Sequence, residues 1–201
     1  MRRRKALNKI VSPGQRNQLR IIGGDWRGRK LAFPDLPGLR PTPDRVRETL
    51  FNWLMPVIRN ARCLDLFAGS GALGLEALSR GAAEVVLVDS QPQVIASLQQ
   101  NIDLLQAGER ARLQQCDARQ YLQSLTERFD LIFLDPPYHQ GLLPPCIDRL
   151  YELEALKPQG YLYFEANRDE ALPQLPAAWV VHRQKSAGQI VYYLVRYADQ
   201  G

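Results

Sequence analysis

From residue 62 onward, short apolar runs alternate with stripes of apolar residues at helical spacing, and an acid closes or follows each of the first four runs. Cys63–Phe67 reads as a strand, Ala72–Ser79 as a helix and Glu84–Val88 as a strand ending at Asp89. Val94, Leu98, Ile102 and Leu105 mark a helix over 94–105. Arg112–Gln115 predicts a strand ending near Asp117, followed by a short helix near Tyr121–Leu125. Leu131–Leu134 is a strand closed by Asp135, and 145–156 a helix. Gly160–Glu165 reads as a further strand, and Trp179–Gln184 with Ile190–Tyr197 as a closing antiparallel hairpin. Strands alternating with helices require an α/β fold, an open and mainly parallel sheet covered on both faces.

The segment before this pattern differs. Residues 1–30 hold ten Lys/Arg and one acid, while the rest carries 16 basic and 20 acidic residues. A basic arm on a mildly acidic body suits a polyanionic partner bound through its phosphates, and charge alone fits equally a solubilising tail or one drawn to anionic lipid. Residues 1–18 are expected to form a flexible basic tail. Residues 19–41 are expected to form a β-hairpin around Gly23-Gly24 followed by a Pro-rich loop, and 42–201 the α/β domain. In the hairpin, Trp26 is read as packing. Thr42-Pro43 reads as a helix start, with Val46, Leu50 and Trp53/Leu54 on its apolar stripe and Arg45, Arg47 and Glu48 on other faces. The 45% apolar content suffices for a sizeable core, and no apolar run reaches membrane-spanning length. Cys63, Cys116 and Cys146 are widely spaced and form no C-x-x-C pair. They predict reduced thiols in a cytoplasmic, soluble protein, with no metal site.

Two stretches carry chemistry. Asp65-Leu-Phe-Ala-Gly69-Ser-Gly71-Ala-Leu-Gly74 joins the first strand to the first helix, and its glycines let backbone approach a ligand at a helix start. A nicotinamide dehydrogenase shares that pattern. Here, however, Asp65, Asp89, Asp117 and Asp135 fall in order at successive strand ends, where open sheets bind ligands. Four acids make a poor pyrophosphate site. They suit S-adenosylmethionine, with Asp89 accepting the ribose hydroxyls, Asp117 facing the adenine and Asp65 near the methionine ammonium. Any one of them alone reads equally as a helix cap.

The second stretch is Asp135-Pro136-Pro137-Tyr138. Two prolines stop the strand and fix a turn whose peptides lack N–H donors. Such a turn presents a carboxylate, bare carbonyl oxygens and an aromatic face. Asp135 and the Pro136 carbonyl can accept both N–H groups of an exocyclic amine while Tyr138 stacks on its ring. His139 reads as a loop residue, and His182 has no assigned role.

Together, Asp-Leu-Phe-Ala-Gly-Ser-Gly, the acid after the second strand and Asp-Pro-Pro-Tyr resemble the class I amino-methyltransferases with a Rossmann-like sheet. Two further segments resemble the RsmD family: Arg20-Ile-Ile-Gly-Gly-Asp-Trp-Arg-Gly-Arg-Lys-Leu31 and Leu39-Arg-Pro-Thr-Pro-Asp-Arg-Val-Arg-Glu-Thr-Leu-Phe-Asn52, joined by Leu73–Gly81. The similarity runs from about Leu19 to Tyr197. It implies methylation of the N2 amine of one guanine (guanine 966) in 16S ribosomal RNA of the small subunit, with S-adenosylmethionine as cofactor. Phe67, Gly69, Gly71, Ala118 and Thr42 would join the acids in holding that cofactor. Arg20, Arg27, Arg29, Lys30 and Arg40 would contact RNA. Thr42 reads equally as a helix cap. A monomer without protein partner is expected. The rival readings are a DNA amino-methyltransferase and a non-catalytic ribosome-assembly factor.

Overall fold

The computed structural model describes residues 17–137, 140–169 and 172–198. Strands β1 (Asn17–Arg20) and β2 (Lys30–Phe33) form an antiparallel pair, and α1 (Asp44–Leu54) follows. Then come β3 (Arg62–Asp65), α2 (Gly74–Ser79), β4 (Glu84–Asp89), α3 (Pro92–Leu105), β5 (Ala111–Gln115), α4 (Ala118–Ser124) and β6 (Phe129–Leu134). The chain continues through α5 (Leu143–Glu152), β7 (Leu156–Asn167), β8 (Trp179–Ala187) and β9 (Ile190–Tyr197). The main sheet has the order β5-β4-β3-β6-β7-β9-β8. Its first five strands are parallel, and β9 and β8 run antiparallel at the end.

Alternation along the strands builds two cores. On one face Cys63, Val85, Leu131, Phe133, Tyr163 and Tyr192 meet Val46 and Leu50 of α1, Leu75 of α2 and Leu98 of α3. On the other, Leu64, Val86, Ile132, Leu134 and Phe164 meet Leu122 of α4 and Ile147 of α5. Each such leucine contributes roughly 1.5–3 kcal/mol when fully buried.

The N-terminal pair joins the first of these cores through Leu19, Ile21, Leu31 and Phe33. Its strands are farther apart in sequence than a tight Gly-Gly turn would make them, and β1 begins at Asn17, inside the stretch expected to be tail. The reason is that Gly23-Gly24 closes onto α2 instead of closing the hairpin. Asp25 N–H donates to the Ser79 carbonyl, and at Gly24 (φ 75°) a Cβ would lie 1.8 Å from that oxygen. Helix α5 stops at Glu152, short of the expected 156, because Glu154 adopts φ 48° and Leu156 already enters β7. Arg47, expected off the apolar face of α1, is buried.

Candidate active site

Strand β3 has β4 and β5 on one side and β6 and β7 on the other, so the chain reverses its direction across the sheet there. Ligands of open α/β sheets occupy the crevice beyond the carboxyl ends of strands at such a point. Asp65 ends β3, Asp89 ends β4, Asp117 follows β5 and Asp135 follows β6, so all four acids lie along one edge.

The β3–α2 loop is braced by two of them. Asp65 is 2% exposed, and its carboxylate accepts the Gly74 N–H at 2.9 Å and the Phe67 N–H. Burial above all, with Asp89 nearby, pushes its pKa up to about 7 against those two bonds. Asp65 therefore holds the loop from inside. Asp89 accepts Gly69 N–H at 3.0 Å through one oxygen and Gln91 N–H at 2.9 Å through the other. Each oxygen retains a lone pair for a further donor. Gly69 and Gly71 have φ of 50° and 78°, and a Cβ on Gly71 would meet Leu75 and Leu98 at 2.7 Å. Phe67 is half-buried in the same loop.

Asp117 caps α4 and is exposed. Its carboxylate accepts Arg119 N–H at 2.9 Å and pairs with the Arg119 guanidinium at 3.2 Å. Partial burial pulls its pKa up, but these Arg119 bonds outweigh it and hold the group below the usual carboxylate value. Ala118, beside it, is buried.

Asp135 is half-buried and Pro136 buried. The Asp135 carboxyl lies well above the ordinary carboxylate pKa, first because of burial and then because Glu165 and Asp65 are close. The Thr42 hydroxyl opposes that shift by hydrogen bonding to Asp135. Thr42 is 6% exposed, and the N-cap of α1 is Pro43 with no side-chain cap bond. The cap reading does not describe it: its bond goes to the acid of the Pro-Pro turn. Arg47 Nε donates to the Thr42 carbonyl at 3.1 Å and so fixes the segment. Tyr138 and His139 lie outside the described residues.

Glu165 is an acid the sequence reading passed over. It is 3% exposed and accepts the Tyr163 hydroxyl at 2.7 Å. Leu134 pairs with Phe164, so the next position of each strand sets Asp135 beside Glu165. The available signal was a lone acid in the apolar run Tyr-Leu-Tyr-Phe, repeating the pattern of the other strands.

The cationic residues divide. Arg40 is exposed and follows Leu39, whose side chain would meet a Cβ on Gly69 at 3.0 Å, so it stands at the acidic edge. Arg20 is exposed and pairs with Asp44 at 3.4 Å. Arg27, Arg29 and Lys30 are exposed; Lys30 pairs with Arg20 across β1 and β2, whereas Arg27 and Arg29 sit in the turn that docks on the far end of α2. Trp26 N–H binds the Ser79 hydroxyl at the end of α2, and the Arg110 guanidinium, just before β5, stacks over Trp26 at 5.2 Å. The structure thus brings Asp65, Phe67, Gly69, Gly71, Asp89, Asp117, Ala118, Thr42, Asp135, Pro136 and Arg40 to one edge and sets the turn that carries Arg27 and Arg29 against the far end of α2.

Known proteins with this sequence pattern and architecture agree. A family model described as conserved hypothetical protein 95 matches residues 19–196. Ribosomal RNA small subunit methyltransferase D of Escherichia coli strain K12 is 50% identical over 184 residues, 92% of each chain. The Haemophilus influenzae protein of the same name is 42% identical over 191 residues, 94% of this chain and 98% of that one. The solved structure of the Escherichia coli protein yhhF superposes with a TM-score of 0.84 at 47% identity, covering 91% of this chain and all of that one. On a family match spanning nearly every described residue, and on relatives aligned over more than nine-tenths of each chain, the chain belongs to the conserved hypothetical protein 95 family, the RsmD family.

Proposed function

We propose that this chain transfers a methyl group from S-adenosylmethionine to the exocyclic N2 amine of a guanine, guanine 966 or its equivalent, in 16S ribosomal RNA. The observation that carries this reading is the Asp135–Pro136 turn, seated beside Thr42 and Glu165 and one strand from the Asp89-braced glycine loop.

The donor set fits the cofactor. An edge of Asp65, Asp89, Asp117 and Asp135 repels a pyrophosphate and accepts hydroxyl, amino and cationic groups. Asp89 would hold the ribose hydroxyls, and Asp117 with Ala118 would border the adenine. Phe67, Gly69 and Gly71 would line the amino-acid portion, with Asp65 bracing their loop. Bound there, the cofactor supplies a methyl group activated by a sulfonium cation.

The residues of the Pro-Pro turn act on the amine. Its lone pair is delocalised into the purine, which makes it a weak nucleophile. Accepting its two N–H bonds at the Asp135 carboxylate and the Pro136 carbonyl orients the nitrogen and favours pyramidal geometry. Asp135 then stabilises the positive charge that nitrogen acquires and takes its proton. Tyr138 would stack on the guanine once it leaves its own strand. Positioning of this kind supplies up to roughly 7–11 kcal/mol, so these residues need form no covalent intermediate.

Asp135 must be ionised to offset the charge on the nitrogen and take its proton, which gives kcat/KM an acidic limb above the usual carboxylate range. Glu165→Gln removes the neighbouring negative charge while its amide oxygen still accepts the Tyr163 hydroxyl. The limb is expected to move to lower pH in that variant. A profile unchanged from wild type would sever the link between the two carboxyls.

Labelled methyl transfer to unmodified small-subunit particles, naked ribosomal RNA and duplex DNA tests the whole reading. Label at a guanine N2 of ribosomal RNA is expected. Label in DNA alone would overturn the substrate, and tight RNA and cofactor binding with no label would favour an assembly factor. Among the described residues no helix is long and apolar enough to cross a membrane, and the proposed site of action is the cytoplasm.

A further inference from the structure

The turn that carries Arg27 and Arg29 docks on the far end of α2, so of the expected RNA contacts Arg40 stands at the acidic edge, and steadying RNA at the reacting amine calls for a further cationic surface there. The C-terminal hairpin is placed for it. Strand β9 runs antiparallel to β7, starting beside Asn167, and β8 ends opposite that start, with Ala187 paired to Ile190. The β8–β9 turn therefore lies at the same edge as Asp65 and Asp135. Arg168 N–H ties it down by donating to the Gln189 carbonyl at 2.7 Å.

Register carries the placement further. Glu165 pairs with Tyr192 and Tyr192 with Lys185, while Tyr163 pairs with Leu194 and Leu194 with Arg183. Paired residues share a face. Lys185 and Arg183 therefore project on the face that carries Tyr163 and Tyr192, the side where α1 and Thr42 lie. Lys185 is three strand spacings from Asp135, about 14 Å along one line across the sheet.

The surface there has the character of a nucleic-acid contact. From Trp179 to Tyr197 the chain has Arg183, Lys185 and Arg196 and no acid, on a body whose residues beyond 30 are net acidic. Arg183 and Lys185 are exposed. Aromatic rings stand among them: Trp53 packs on Tyr192 at 5.4 Å and Tyr161 on His182 at 5.5 Å. The register irregularity between Val181 and Arg183 bends this edge strand, so it is poorly shaped for pairing with another strand.

We propose that the β8–β9 hairpin is a second RNA-binding wall, in which Arg183 and Lys185 hold phosphates of the strand flanking the target guanine while Asp135 holds its amine. This rests on the proposed function for the identity of the base, but not for the presence of RNA on this face. Phosphate contacts of this sort position a substrate and do not specify it.

The test is the charge-reversed pair Arg183→Glu/Lys185→Glu in the full chain, with Arg183→Gln/Lys185→Gln as the milder version. Binding to a small-subunit ribosomal RNA fragment is measured by mobility shift across a salt series, independently of turnover. Each lost phosphate contact is expected to flatten the log–log salt slope by about 0.7–1, and the reversed pair to weaken binding at least roughly tenfold. Calorimetry with S-adenosylhomocysteine and the thermal midpoint are expected to match wild type, which excludes misfolding. RNA affinity and salt slope equal to wild type in the reversed pair would overturn the proposal. If wild type binds RNA through this face yet methylates no ribosomal RNA, the wall stands and the functional reading falls.

Discussion

Asp135→Asn is expected to lower methyl transfer by about a thousandfold, the upper range for removing one preorganised stabilising group, while cofactor affinity stays within a fewfold of wild type. The amide is nearly isosteric, but it brings an NH2 donor where the substrate amine also donates. It carries no charge to offset the positive nitrogen and no basic oxygen to take the proton. Folding should respond in the opposite sense. Asp135 is partly buried near Glu165 and Asp65, so removing its charge relieves repulsion and raises the thermal midpoint. The sign with pH follows from linkage. The folded state holds the Asp135 proton more tightly than the unfolded chain, whose carboxylate titrates near about 3.9. The penalty is therefore absent in acid and grows as pH rises from that value through the raised folded one. The stability gap between Asp135→Asn and wild type should widen over that window. Single-turnover labelling, calorimetry with S-adenosylhomocysteine and melts between acidic and neutral pH check all three. Equal loss of turnover and cofactor binding would remove Asp135 from the reacting end of the site.

The parallel order of the sheet was legible because each early strand is a short apolar run with an acid at its end, and that periodicity is local. What escaped was set by contacts distant in sequence. Thr42-Pro43 carries the signature of a helix cap, yet Thr42 bonds to Asp135 on another element. Arg47 falls on a polar face by helical period, but the residues before α1 fold back over that face and bury it. The end of α5 was hidden because Leu153-Glu-Ala-Leu156 continues a helical stripe, and only the left-handed Glu154 breaks it. Glu165 did not announce itself as a strand end because β7 continues past it to Asn167, paired with β9. The charges of Arg27 and Arg29 are plain in the sequence. Which end of the sheet they occupy depends on Gly23-Gly24 docking against α2.

Glu76→Ala is expected to be strongly destabilising. Glu76 is fully buried in the first turn of α2. Its two oxygens accept Ile22 N–H and Gly23 N–H at 2.8 Å, Arg80 Nε at 2.7 Å and Arg47 Nη1 at 3.4 Å. Among the described residues, alanine leaves the Arg47 guanidinium, 1% exposed, with only Asp44 as an anionic partner, and strands two peptide N–H groups. Breaking a buried pair from one side costs about 3–5 kcal/mol, a large share of the roughly 5–15 kcal/mol that stabilises a typical domain. For a chain of this length that lowers the melting midpoint by about 10 °C. Replacing both partners, as in Glu76→Met/Arg47→Met, removes the orphan charge and is expected to recover part of the loss, though the Ile22 and Gly23 amides stay unpaired. The defect should open locally first: limited proteolysis would cut between Ile21 and Arg29 before the sheet unfolds. It should also reach the chemistry, because Arg47 holds the Thr42 carbonyl at 3.1 Å and Thr42 holds Asp135. Turnover in Glu76→Ala at a temperature where the sheet is intact should therefore fall further than cofactor affinity. Denaturation curves for the single and double variants decide it, and a Glu76→Ala protein that melts with wild type would show that the buried cluster contributes nothing to fastening the N-terminal strands.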